Sequence, residues 1–172
     1  MTRTELRRRL SRVRALVLDV DGVLTDGGMY YGPRGETLKK FNVKDGLGLR
    51  LVREAGIVVA FLTGERSDAV LRRAEKLKIQ EVFLGVEEKG DVLKKFLAHR
   101  RFRPEEAAYV GDDVTDLEPM SIVGIAVAVS DAVPEVRKAA HWVTSRRGGD
   151  AAVREVCDEI LNSLKSSSRN VR

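Results

Sequence analysis

Residues 15–27 read Ala15-Leu16-Val17-Leu18-Asp19-Val20-Asp21-Gly22-Val23-Leu24-Thr25-Asp26-Gly27, and this stretch decides the fold. A short apolar run ends abruptly in an acidic turn with glycine at its corner. A strand that is apolar on both faces suits a parallel sheet buried between two helix layers. In such a sheet, ligands bind beyond the carboxyl ends of the strands, which is where Asp19 and Asp21 would lie.

Outward from this stretch the same pattern recurs. Strands are expected at 15–19, 57–62, 81–84, 107–110 and 125–129. Helices are expected between and after them, at 44–54, 67–77, 89–99, 134–140 and 151–164. Gly56 stops the first helix, and Ser67 reads as the N-cap of the second. Val70, Ala74 and Leu77 repeat at helical spacing, and Pro134 occupies a first-turn position that tolerates proline. This order predicts an α/β fold with a doubly wound, Rossmann-like parallel sheet. One segment breaks the alternation. Met29-Tyr30-Tyr31, then Gly32-Pro33-Arg34-Gly35, then residues 36–41 read as a β-hairpin with a four-residue turn, part of a flap at 28–42. The flap follows the first strand directly, so it should project over the ligand-binding end. A single domain over 1–164 is expected, followed by a disordered tail at 165–172 containing Ser166-Ser167-Ser168.

Composition narrows the function. The 172 residues can bury a substantial core. The net charge is +5, yet only 5% of residues are aromatic and no basic stripe carries interleaved rings, so nucleic acid is not an expected partner. The positive field suits a small anionic substrate instead. The longest apolar run, 57–62, is far short of the roughly 20 residues a membrane-spanning helix needs. A basic start (Arg3, Arg7, Arg8, Arg9, Arg12, Arg14) leads into no apolar leader, because Asp19 and Asp21 interrupt the one candidate. The lone Cys157 excludes an intrachain disulfide and reads as a buried thiol. A cytoplasmic protein with no membrane partner is expected.

The polar residues after the strands carry the chemistry. Asp19-Val20-Asp21-Gly22 follows the first strand, Thr63-Gly64 the second, Lys89 the third, and Gly111-Asp112-Asp113-Val114-Thr115-Asp116 the fourth. Taken singly, each is an ordinary cap, turn or solvated charge. Gathered at one sheet edge, Asp19, Asp21, Asp112, Asp113 and Asp116 would repel one another unless a cation sat among them. Carboxylate and carbonyl oxygens are hard donors, so the expected ion is Mg²⁺, with Asp19 and Asp112 as carboxylate ligands. His99 and His141 lie elsewhere in the pattern and read as structural. An aspartate can attack phosphorus and form an acyl-phosphate. A sugar alkoxide is a poor leaving group, and Asp21 is placed to protonate it and later to take a proton from water. The Thr63 hydroxyl, the Gly64 N–H and Lys89 would hold phosphoryl oxygens. Asp113 and Asp116 would support Lys89 or the metal.

These four motifs, in this order, resemble those of the haloacid dehalogenase superfamily. The resemblance implies Asp19 as nucleophile and Asp21 as acid/base, with Mg²⁺ held by Asp19, the Asp21 carbonyl and Asp112. It also places Gly22 with Thr63, Gly64 and Lys89 at the phosphate. A narrower similarity, carried by residues 19–27, Phe41-Asn42-Val43-Lys44-Asp45-Gly46, 109–113 and 148–157, is to the 3-deoxy-D-manno-octulosonate 8-phosphate phosphatases. It implies a capless homotetramer serving lipopolysaccharide biosynthesis, with Asn42, Asp45 and Gly46 facing substrate and a neighbouring subunit covering each site. The spacing independently leaves no room for a cap domain between Asp21 and Thr63 or between Thr63 and Lys89. Those phosphatases usually carry arginine after Thr-Gly, whereas this chain has Glu65 and then Arg66. Glu65, Arg73 and Lys76 also match a triad in relatives that act on nine-carbon 9-phosphates, so keto-deoxy-nonulosonate or N-acetylneuraminate 9-phosphate is the alternative substrate. Arg146-Arg147-Gly148-Gly149 is a further candidate, for a neighbour's substrate carboxylate. A receiver-like phosphorylatable switch is the competing class, but Asp21 as a built-in acid/base argues against a persistent phosphoaspartate. A silent tetrameric scaffold would not need Asp112 beside Asp113.

Overall fold

The computed structural model describes residues 1–33 and 35–169. Its elements run α1 (Arg3–Leu10), β1 (Ala15–Leu18), β2 (Tyr30–Gly32), β3 (Gly35–Leu38), α2 (Val43–Glu54), β4 (Val58–Leu62), α3 (Asp68–Lys76), β5 (Glu81–Phe83), α4 (Lys89–Arg100), β6 (Ala107–Gly111), α5 (Leu117–Ile122), β7 (Ile125–Ala128), α6 (Pro134–Ala139), β8 (Trp142–Val143) and α7 (Ala152–Arg169). Short 3₁₀ turns at Pro104–Glu106 and Val114–Asp116 lead into β6 and α5.

The main sheet has six parallel strands in the order β5-β4-β1-β6-β7-β8. The chain therefore starts in the middle and winds outward in both directions, so strand order reverses at β1. A crevice opens at such a switch point, beyond the strand ends. Strands β1, β6 and β7 are buried along their whole length, because helices cover both faces. Helix α7 packs on α1 and α2, while α5 packs against α4 and α6. No helix among the described residues is long and apolar enough to cross a membrane.

All five expected strands are present, each with ends within one residue of the expected position. The hairpin is present as a separate two-stranded antiparallel sheet in which Gly32 pairs with Gly35, and no cap domain interrupts the sheet. Helix α1 was not foreseen, and two expectations need correction. The basic N-terminus forms α1, with Thr2 accepting from the Glu5 N–H and Leu10 fully buried. Ser67 stands at the N-cap of α3 but its hydroxyl makes no cap bond, because it donates to Glu36 on the hairpin. The expected tail at 165–172 is not disordered from its start: α7 continues to Arg169, and only 170–172 lie outside the described residues.

Candidate active site

Three neighbouring strands deliver the central groups. Asp19 follows β1, Thr63 follows β4 and Asp112 follows β6, and β1 pairs with both of the others in register. Lys89 opens α4 after β5 and reaches inward, with only 6% of its surface exposed. Its ammonium donates to Asp19 Oδ1 at 2.9 Å and to Asp116 Oδ1 at 2.7 Å.

Asp116 is the hub of this arrangement. Besides Lys89, it accepts from the Tyr109 hydroxyl at 2.7 Å and from the Asp112 and Asp113 N–H groups at 2.8 and 3.3 Å. Asp116 has no exposure, so these donors replace the water it has lost. The support expected jointly of Asp113 and Asp116 falls to Asp116. The Asp113 carboxylate instead caps the following turn by accepting from the Val114 N–H at 2.6 Å.

The loop after Asp19 is tied by Thr25, whose hydroxyl accepts from the Gly22 and Gly27 N–H groups at 3.2 and 3.3 Å. The Gly22 N–H, expected at the phosphate, is engaged inside the loop in this arrangement. Glycine is needed there for another reason. Its φ is +87°, and a Cβ would fall 2.0 Å from Asp112 Oδ2, so any side chain would displace Asp112. From the far side, Gly148 approaches so closely that a Cβ on it would lie 1.6 Å from the Gly22 carbonyl oxygen. The Gly149 N–H donates to the Val23 carbonyl at 3.0 Å.

Ligand atoms of Asp19, Asp112 and Asp116 lie within 4.8 Å of one another. Burial raises the Asp19 carboxyl to about 7, reinforced by the Asp116 charge and opposed by Lys89. Burial and the Asp19 charge likewise raise Asp112 to about 8. Burial lowers the Lys89 ammonium, but Asp19 and Asp116 outweigh it and hold the group above the ordinary lysine range. The donor set is all hard oxygen, and Asp116 is already committed to Lys89, Tyr109 and backbone N–H groups. Asp19 and Asp112 are therefore the carboxylates that fit a divalent cation.

Asp21 is turned away from this cluster. Its Oδ2 accepts from the Thr63 hydroxyl at 3.3 Å, and its Oδ1 accepts from Lys39 of the hairpin. Lys39 is not legible as a site residue in the sequence, because a lysine in a flap reads as a solvated charge. Gly64 and Glu65 are exposed at the rim beside Thr63, and the Glu65 N–H donates to the Thr63 hydroxyl at 3.2 Å.

Of the residues expected to face substrate, Asn42, Gly46 and Arg73 touch one another. Asn42 caps α2 through the Lys44 N–H at 2.9 Å and donates to the Gly149 carbonyl at 3.2 Å. Asp45 is 1% exposed and accepts from the Arg154 N–H at 2.7 Å, so it ties the start of α7 rather than facing an open site. Gly46 lets the Arg73 guanidinium pass, since a Cβ there would lie 2.4 Å from it. Arg73 donates to the Asn42 carbonyl at 3.0 Å and stacks 5.6 Å from the Phe41 ring. Arg73 and the exposed Lys76 line a groove of about 830 Å³ with Val43, Leu47 and Arg50, whereas Glu65 sits at the strand end. Arg147 pairs with Asp131 at 3.1 Å within its own chain. His141 is structural: its Nδ1 accepts from the Ala126 N–H at 2.9 Å.

Residues 86–155 match the model of the haloacid dehalogenase-like hydrolases. The chain is 45% identical over 153 residues to the 3-deoxy-D-manno-octulosonate 8-phosphate phosphatase of Yersinia pestis, covering 89% of this chain and 82% of that one. The chain belongs to this phosphatase family. Its structure superposes on the Moraxella catarrhalis phosphatase, in complex with magnesium ion, phosphate ion and KDO, with a TM-score of 0.92 at 32% identity, covering 99% of this chain and 100% of that one. The cobalt-bound enzyme of Haemophilus influenzae gives a TM-score of 0.90 at 39% identity, covering 93% and 94%. Family membership fits a sheet with no cap domain among the described residues and makes the protein a phosphatase rather than a signalling switch.

Proposed function

We propose that this phosphatase releases phosphate from 3-deoxy-D-manno-octulosonate 8-phosphate, in the cytoplasm and in service of lipopolysaccharide biosynthesis. The observation that carries the chemistry is the Asp19–Lys89–Asp116 triad beside Asp112, at the switch point of the sheet. The substrate follows from the relatives, which carry that activity in their names across most of this chain.

Asp19 and Asp112, with the Asp21 backbone carbonyl, would hold Mg²⁺, which supplies charge neutralisation for the phosphoryl oxygens. The residues do the rest. An Asp19 carboxylate oxygen attacks phosphorus, and the bond from phosphorus to the sugar oxygen breaks. Asp21 protonates that departing oxygen, because an alkoxide leaves poorly without a proton. Water then attacks the phosphorus of the aspartyl-phosphate, Asp21 takes its proton, and Asp19 is freed with phosphate. Lys89 keeps Asp19 oriented and offsets negative charge throughout, while the Thr63 hydroxyl, on exchanging its bond to Asp21, and the Gly64 N–H would bind phosphoryl oxygens.

Assembly as a homotetramer is part of the same reading. It is supported by the exposed apolar side chains of the hairpin, Met29, Tyr30, Tyr31 and Leu38, which a monomer would leave in water. The decisive experiment measures phosphate release from the 8-phosphate, with and without Mg²⁺, for wild type and Asp19→Asn. The variant is expected to fold and to lose turnover below detection, since no nucleophile remains to form the intermediate. Appreciable turnover by Asp19→Asn would remove Asp19 from this role.

A further inference from the structure

Lys39 takes part in no step above, yet among the described residues it is the most enclosed cation of the hairpin. Its side chain is 1% exposed, against 64% for the neighbouring Lys40. Its ammonium donates to Asp21 Oδ1 and, at 2.8 Å, to Glu36 Oε2. Glu36 Oε1 in turn accepts from Ser67 Oγ at 2.5 Å, the hydroxyl that α3 does not use as its own cap. Asp21 Oδ2 accepts from Thr63 Oγ1 at 3.3 Å. A continuous polar chain therefore runs from Ser67 through Glu36, Lys39 and Asp21 to Thr63. It joins the start of α3 to the end of β4 by way of the flap.

An ammonium is removed from water at high cost unless carboxylates replace the lost solvation, and here two do. Each oxygen of Asp21 is held from a different side. The bond from the Thr63 hydroxyl is long and its donor uncharged, whereas Lys39 is a charged donor and makes the stronger of the two bonds. The orientation of Asp21 thus depends chiefly on a residue of the hairpin. We infer that Lys39 is a positioning residue: by bridging Glu36 and Asp21 it makes docking of the flap the event that aims the acid/base at the departing oxygen.

This inference rests on the proposed reaction, so Asp21→Asn serves as the reference variant. Two substrates separate the roles. The sugar 8-phosphate needs a proton on its leaving oxygen, whereas a dinitrophenyl phosphate does not. Lys39→Met, checked for folding by circular dichroism, is expected to lower kcat on the sugar ester by about tenfold or more with little change in KM. The first-turnover burst of dinitrophenol, which needs only attack by Asp19, is expected to stay near the wild-type rate. Glu36→Gln should show a smaller loss of the same kind, because it weakens the flap's hold on Lys39.

A burst slowed as much as sugar-ester turnover, or a rise in KM alone, would overturn the inference by making Lys39 a substrate-binding or general structural residue. Unchanged sugar-ester turnover in Glu36→Gln would overturn the coupling to the flap. If Asp21→Asn itself left sugar-ester turnover intact, the failure would lie with the acid/base assignment. If Asp21→Asn failed while Lys39→Met did not, only the role of Lys39 would fall.

Discussion

Asp116 shows how much one residue can organise. It is fully buried and accepts from Lys89, Tyr109 and two backbone N–H groups. The Tyr109 hydroxyl is itself held above the ordinary phenol range, first by burial and then by the Asp116 charge, so it stays a donor. Tyr109→Phe keeps the ring's packing and removes that one donor. A buried carboxylate short of a partner costs about 1–3 kcal/mol, which is the loss expected in urea denaturation. A stability equal to wild type would mean that water replaces the hydroxyl. The sequence made Asp116 legible as a supporting acid because it sits four residues after Asp112. Tyr109 was not legible, since an aromatic inside a strand reads as core until the fold shows its hydroxyl meeting Asp116.

At the scale of elements, the loop after β1 is set by contacts from distant segments. Gly148 and Gly149 press against Gly22, Val23 and Thr25, and Asn42 ties the start of α2 to Gly149. Gly148→Ala would place a methyl carbon where the Gly22 carbonyl oxygen now lies. Overpacking of this kind costs about 1–3 kcal/mol, and relief by shifting the loop would move Asp21 and the Asp112 contact with it. Both a lower melting temperature and a lower kcat on the 8-phosphate are expected, read by calorimetry and steady-state assay. An unaltered kcat would show that the loop does not depend on this contact. The glycine pair is visible in the sequence as part of 146–149, a candidate for a neighbour's substrate carboxylate. Its cis packing was hidden, because residues 148 and 22 meet only when α7 returns beside α2.

For the molecule as a whole, the proposed metal site would make metal and proton compete for the same carboxylates. Asp19 and Asp112 are raised from 3.8 to about 7 and about 8, first by burial. A raised carboxylate binds its proton more tightly in the folded state, so the metal-free protein loses stability as pH rises from about 4 to about 8. Mg²⁺ must displace those protons, so its stabilisation should grow over the upper part of the same window. Saturating Mg²⁺ is expected to raise the melting temperature little at pH 5.5 and most above pH 8, measured by differential scanning fluorimetry. A pH-independent increment would contradict the carboxylate cluster as the binding site. Assembly is tested at this scale too. Light scattering should report a tetramer for wild type and a smaller species for Tyr31→Asp combined with Leu38→Asp, which charges the exposed hairpin. A wild-type monomer with full activity would refute the assembly.

By itself the sequence determined the parallel sheet and the absence of a cap domain, and it singled out the candidate reacting groups. Buried strands advertise themselves as unbroken apolar runs, and strand ends as abrupt polar turns such as 19–22, 63–64 and 111–116. These are local signals, carried by neighbours in the chain. Only the tertiary structure decided which residues hold the reacting groups in place. Lys39 on Asp21, Tyr109 on Asp116, Gly148 against Gly22 and Asp45 under α7 are all long-range or cross-element contacts. Their meaning depends on burial and distance, which a residue acquires only when the whole sheet and its helices have come together.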